Sequence, residues 1–389
     1  MSNASKILLT GVAAGTVTAV VGMPQLAKYM AKATVTPIQS RADSFSIKPH
    51  IDGDNLSVDL PIDDETIVEG KYSLYFTNGA GHARVGKILS KDPALGTITR
   101  EVEHISFGNF SSATGGSWYG YAWYDPGELG LDYQEVNIET ENGPAPSWMV
   151  PAEAGKVSET CVIQVHGRGA SKAEGLRSVP ALLDEGMDVL LINYRNDFNG
   201  PREVNGLYGL GYTEWRDVEV AIKYALERGA KNIILFGWSM GGAIVMQTYM
   251  TSKYRNKIKG IVLDAPALDW KHILQRVAVK NNLPKLIGTM ATYALSGKMG
   301  AFVKQNSAVV NTKALKWLDK ADDIEIPILL FHSVDDEFVP YEPSEELAEK
   351  RPDKITFIKS YGAQHTKEWN LNPEQCNAAL KSWLEQLEL

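Results

Sequence analysis

The chain is predicted to be an α/β protein: a mostly parallel sheet covered by helices on both faces, carrying a helical insertion and preceded by a small β-rich module. Three observations predict it. From residue 126 onward, apolar runs at 161–165, 188–193, 232–236, 260–264, 326–331 and 355–358 alternate with helical stretches, the pattern of a parallel sheet buried on both sides. Residues 34–125 lack that alternation and read as short strands and turns. Between one apolar run and the helix after it stands Gly237-Trp238-Ser239-Met240-Gly241-Gly242, which leaves room only for a sharp turn. At 389 residues, 44% hydrophobic and 22% charged, the chain can bury this core and a further module. A net charge of −8 without a basic stripe argues against a nucleic-acid partner.

In chain order, residues 7–23 carry no charge, with Lys6 before them and Pro24 after. The run is at the short end for a membrane span and slightly long for a signal core, so its length does not decide between an anchor and an export signal. Ala31-Lys32-Ala33 has the small-x-small look of a cleavage site, and Lys28 and Lys32 balance Lys6, which leaves orientation open. Residues 1–33 are therefore expected to be a signal or membrane anchor, giving membrane association and a cell-envelope location. The competing reading is a buried N-terminal helix of a cytoplasmic enzyme, for which the glycines, threonines and valines of 7–23 are poor material.

In the module at 34–125, residues 71–77, the turn Asn78-Gly79-Ala80-Gly81 and residues 82–89 predict a hairpin, with a third strand at 97–103. No helix comes after Gly79-Ala80-Gly81, so it is not a dinucleotide loop. The acidic turn from Asp52 to Asp59 lacks calcium-loop spacing. Trp118, Tyr119, Tyr121, Trp123 and Tyr124 form an aromatic cluster that suits packing of the module onto the core, or else a carbohydrate or lipid surface. Residues 133–139 and 147–150, joined through Asn142-Gly143, open the sheet of the main domain, 126–389.

The turn at Ser239 carries the chemistry. A serine hydroxyl becomes a nucleophile when it is exposed, aimed at a base and placed beside donors that hold a developing oxyanion. In G-x-S-x-G, Gly237 and Gly241 let strand and helix approach while the serine projects outward, and the Met240 N–H sits at the helix N-terminus. A base and an orienting acid should come later in the chain, in the order Ser, acid, His. Of the histidines after Ser239, His365 lies in a loop between the 355–358 strand and the C-terminal helix, whereas His332 ends a strand. His332-Ser-Val-Asp335-Asp336-Glu337-Phe-Val339-Pro340 resembles the acid loop of the α/β-hydrolase superfamily, where Asp stands three residues before Val-Pro. By that register Asp336 is the acid. Asp335 is its neighbour and competitor, and Asp264, at the previous strand end, is the position from which some members take their acid.

His166-Gly167-Arg168-Gly169 resembles the His-Gly-x loop of the same superfamily, which implies a second oxyanion donor at the Arg168 N–H. The Arg168 side chain would point to solvent or reach a substrate carboxylate. The resemblance also implies a lid over the site at about 267–322, and the helical apolar spacing there makes Trp270, Leu286 and Met290, with Trp238 beside the serine, candidate substrate contacts. Cys161 and Cys376 have no motif of a thiol nucleophile. The expected function is cleavage of a carboxylic ester with a hydrophobic acyl or alcohol part, through an acyl-enzyme on Ser239, with no metal or cofactor. A serine peptidase of the aminopeptidase or prolyl oligopeptidase kind and an acyltransferase use the same residues. A membrane-tethered binding protein with an idle triad is the non-enzymatic alternative.

Overall fold

The computed structural model describes residues 22–297 and 310–389. The charge-free run therefore lies, up to residue 21, outside the described residues. Helix α1, Met23–Val35, begins at its end. The buried residues of α1 are Ala27, Met30, Ala31, Thr34 and Val35, the i, i+3, i+4, i+7, i+8 spacing of one apolar face. Ala31-Lys32-Ala33, which reads as a cleavage site in sequence, is thus the last turn of a packed helix, with Ala31 fully buried. Among the described residues no helix is long and apolar enough to cross a membrane.

The front module is an antiparallel sheet of β1 (Phe45–Ser46), β2 (Lys48–Asp52), β3 (Asn55–Pro61), β4 (Tyr72–Phe76), β5 (Gly81–Asp92), β6 (Thr97–Phe107) and β7 (Gly115–Tyr119), in the spatial order β1-β7-β4-β5-β6-β3-β2. The hairpin expected around Asn78-Gly79 pairs Tyr72 with Val85 and Phe76 with Gly81. Buried Arg100 donates to the carbonyls of Gly86, Thr66, Val68 and Gly70 and so closes the module from within. Its loss would orphan several buried carbonyls at about 1–3 kcal/mol each. The aromatic cluster serves packing: Trp118 stacks on Tyr72 at 4.7 Å inside the module, and buried Tyr121 joins the core below it.

The main sheet is built from β8 (Gln134–Thr140), β9 (Gly143–Val150), β10 (Thr160–Val165), β11 (Asp188–Ile192), β12 (Asn232–Trp238), β13 (Ile258–Asp264), β14 (Ile328–Ser333) and β15 (Ile355–Ser360). Its order is β15-β14-β13-β12-β10-β11-β9-β8, parallel from β10 to β15, with β8 and β9 an antiparallel edge hairpin. On one face lie α2 (Val179–Asp184) and α9 (Pro373–Leu384), the latter preceded by short α8 (Glu368–Leu371). On the other lie α3 (Trp215–Glu227), α4 (Met240–Thr251) and α7 (Glu342–Lys350). The insertion between β13 and β14 supplies α5 (Trp270–Lys280), N-capped by Asp269, and α6 (Lys285–Leu295), which packs on α5 and on α1.

Candidate active site

Ser239 lies between β12 and α4 with φ +51° and ψ −115°, a left-handed conformation that a serine adopts only under constraint. Two absent side chains permit it. A Cβ on Gly237 would stand 2.5 Å from the Gly241 carbonyl oxygen, and one on Gly241 would stand 2.0 Å from that of Val165. The strain is held by hydrogen bonds: the Ser239 N–H donates to the Asp264 carbonyl, and its own carbonyl accepts from the Gly242 and Ala267 N–H groups.

His365 Nε2 is 2.9 Å from Ser239 Oγ, and His365 Nδ1 is 2.6 Å from Asp336 Oδ2. Asp336 is buried, its Oδ1 accepting from the Phe338 and Val339 N–H groups and its Oδ2 lying 3.2 Å from His332 Nε2. Burial opposes its charge, yet the two imidazoles hold its carboxyl below the usual carboxylate range. For His365, burial disfavours the cation, and the Asp336 carboxylate outweighs it, so its basicity is raised. Asp335 is exposed and accepts instead from the Gly362 N–H at 2.6 Å. Asp264 is fully buried beside Glu368, and neither of its carboxyl oxygens is hydrogen-bonded to His365.

The loop after β10 lies against the serine: a Cβ on Gly167 would come within 3.2 Å of Ser239 Cβ. Its shape is set by the Gly167 N–H donating to Glu174 at 2.6 Å and by the Tyr194 hydroxyl on the His166 and Gly167 carbonyls. His166 stacks on Tyr194 at 4.5 Å. Arg168 and Met240 both line a small apolar pocket beside Ser239, with Trp270, Ile273 and Leu274 as its far wall. A second, wider cleft at Ser239, more polar than the first, has walls that include Glu65, Tyr119, Glu174 and Lys367.

Three expected substrate contacts are placed elsewhere. Trp238 is 1% exposed and stacked on Phe236 at 3.9 Å, because residues two apart on a strand share a face and this face is covered by α9. Leu286 is 55% exposed on α6, and half-buried Met290 packs against the edge of the core. None of the three is among the described residues that line these two cavities at Ser239. The Arg168 side chain, half-buried, is held at the end of α1, where it donates to the carbonyls of Ala33, Thr34 and Thr36. Sequence reasoning missed the polar cleft wall. Glu65 and Lys367, an ion pair across the two modules, are 302 positions apart and carry no motif. Phe338, which lines both cavities, has its ring centroid 5.2 Å from that of His365 and could have been read from its place between Asp336 and Val339. Among the described residues no cluster of His, Cys, Asp or Glu could hold a metal ion.

Two family profiles match the chain: an alpha/beta hydrolase fold over residues 160–298, and a domain of unknown function (DUF8805) over residues 50–119. No curated protein matches it in sequence. Among solved structures it is similar to the Pyrococcus furiosus esterase Pf2001. The crystal form in space group P212121 gives a TM-score of 0.52 at 21% identity, covering 68% of this chain and 94% of that one. The P21 form gives 0.53 at 21% identity, covering 68% and 97%. At that identity the likeness is one of fold. The profile and the sheet order agree, and the core of this chain has the α/β-hydrolase fold.

Proposed function

We propose that the protein is a serine hydrolase that cleaves carboxylic esters through an acyl-enzyme on Ser239. The observation that carries the reading is the continuous chain from Ser239 Oγ through His365 to buried Asp336, at 2.9 and 2.6 Å, with the serine in a strained elbow. An idle binding site has no use for that combination. Ester cleavage in particular is supported by the likeness to a protein described as an esterase.

In the reaction, His365 Nε2 takes the Ser239 proton as Oγ attacks the acyl carbon, and returns it to the leaving alcohol. Asp336 accepts from Nδ1–H, which fixes the tautomer and stabilises the imidazolium. The N–H groups of Met240 and Arg168 receive the oxyanion, worth about 3–4 kcal/mol of barrier for one well-placed donor. Water then attacks the acyl-enzyme by the reverse proton path. The apolar pocket suits the acyl part and the polar cleft the alcohol part.

Labelling with a fluorophosphonate, read by intact mass, tests this. The wild-type protein should gain one phosphonyl group and Ser239→Ala none, with esterase activity lost in the same variant. Full ester hydrolysis by Ser239→Ala would sink the proposal.

A further inference from the structure

The segment between α1 and β1 wraps the loop after β10. At the end of α1, where the helix presents unpaired carbonyls and the negative end of its dipole, Arg168 donates through Nε to Thr34 (3.0 Å) and through Nη2 to Ala33 (2.9 Å) and Thr36 (2.8 Å). Val35 continues the contact by accepting from the Tyr208 N–H at 2.8 Å. The next loop residue, Gly169, has φ +69°, and a Cβ there would meet Ile38 Cδ1 at 2.5 Å. Ala170 offers its carbonyl to Arg41 Nη2 at 3.2 Å, and the Arg41 guanidinium sits over the rings of Tyr119 (4.1 Å) and Tyr75 (4.6 Å). Three successive loop residues are thus gripped from outside by one stretch of chain. That stretch also reaches the cavities: Thr34 lines the apolar pocket and Ile38 the polar cleft.

From these contacts we infer that residues 33–41 form a strap belonging to the active site, which positions the Arg168 backbone through the Arg168 side chain and supplies one wall to each subsite. This rests on the serine-hydrolase reading of Ser239. The coupling has its origin in desolvation. A guanidinium withdrawn from water is costly unless its donors are met, and here Nε and Nη2 are met by helix-end carbonyls and not by a carboxylate, while Nη1 has no hydrogen-bond partner among the described residues. The loop keeps its shape, therefore, only while α1 stays docked. Arg168 is a positioning residue through its side chain, distinct from the oxyanion role of its N–H.

The test uses the full chain. Arg168→Ala should lower kcat and the rate of fluorophosphonate labelling about 10- to 100-fold, less than the roughly 10²- to 10³-fold of a donor removed outright, with KM nearly unchanged. Millimolar guanidinium should restore part of kcat where sodium at equal ionic strength does not. Ile38→Ala should raise kcat/KM for an ester of a bulky alcohol relative to the methyl ester of the same acid. Labelling of Arg168→Ala at the wild-type rate would overturn the positioning role. If that variant does not fold, Ile38→Ala carries the test, and an unchanged alcohol preference would overturn the wall. Failure of the wild-type protein to label would instead overturn the parent reading.

Discussion

Two aspartates stand near the ends of neighbouring strands, both buried and within a short walk of Ser239, and their surroundings drive them in opposite directions. Asp336, after β14, meets two backbone N–H groups and two imidazoles, and keeps its charge in spite of burial. Asp264, at the end of β13, meets another carboxyl group. Burial and the Glu368 charge push it well above the usual range, and Glu368 itself is pushed up to about 7 by burial. The carboxyl oxygens of this pair accept no hydrogen bond of good geometry from the described residues. Arg177 lies near, but its Nη1 is committed to the Thr366 carbonyl and Asn370 Oδ1. Residue type and burial are the same in both places. The difference lies in whether donors or acceptors converge on the carboxyl group, and that alone fits one to orient an imidazolium and the other to hold a proton.

The largest expected effect comes from making Asp336 resemble Asp264 in charge. Asp336→Asn should lower kcat by about 10³- to 10⁴-fold with the fold retained, since the amide favours the wrong tautomer of His365. The pH profile sharpens this. His365 must be neutral to accept the serine proton, so the acid limb of kcat/KM in the wild-type protein should lie above the ordinary imidazole value of 6.5. In the variant the carboxylate no longer raises it and burial acts alone, so the limb should move to lower pH. A limb that stays in place would mean that Asp336 does not govern His365.

A smaller effect is expected at the other carboxylate, on stability and not on rate. Glu368 is neutral in the folded protein up to about 7, against an unshifted value of 4.5. Between those values the folded state binds more protons than the unfolded state, so stability falls as pH rises through that window. Asp264→Asn removes one of the two proton-holding carboxyl groups of the pair. It should leave kcat within about twofold and make the melting temperature fall less between pH 5 and pH 8, as read by calorimetry. An Asp264→Asn enzyme as slow as Asp336→Asn would make Asp264 the functional acid.

The two carboxylates also mark what could be read from sequence. Alternating apolar runs located the parallel strands because burial on both faces leaves a continuous hydrophobic signature, and Gly237, Ser239 and Gly241 declared the elbow because close approach demands glycine. The positions of Asp336 and His365 were legible as loops at strand ends in a fixed order. Side-chain direction was not: Trp238 adjoins Ser239 in sequence yet faces the opposite side of the sheet. Contacts between distant segments were illegible too. The apolar face of α1 was present in the spacing of Ala27, Met30, Ala31, Thr34 and Val35 but was overshadowed by the uncharged run before it, and nothing local announces that Arg168 would reach back to the end of that helix.

The smallest effect separates Asp336 from its immediate neighbour. Asp335 is exposed, and its hydrogen bond from the Gly362 N–H ties the acid loop to the loop that carries His365, three residues before the imidazole. Its replacement by alanine removes a surface loop contact and no charge next to the imidazole. Asp335→Ala should therefore cost about 0.5–1.5 kcal/mol of stability and lower kcat by no more than a few-fold through a looser His365 loop, with the acid limb of the pH profile unmoved. A shifted limb in this variant would show Asp335 reaching His365 electrostatically, and the division of labour between the adjacent aspartates would have to be redrawn.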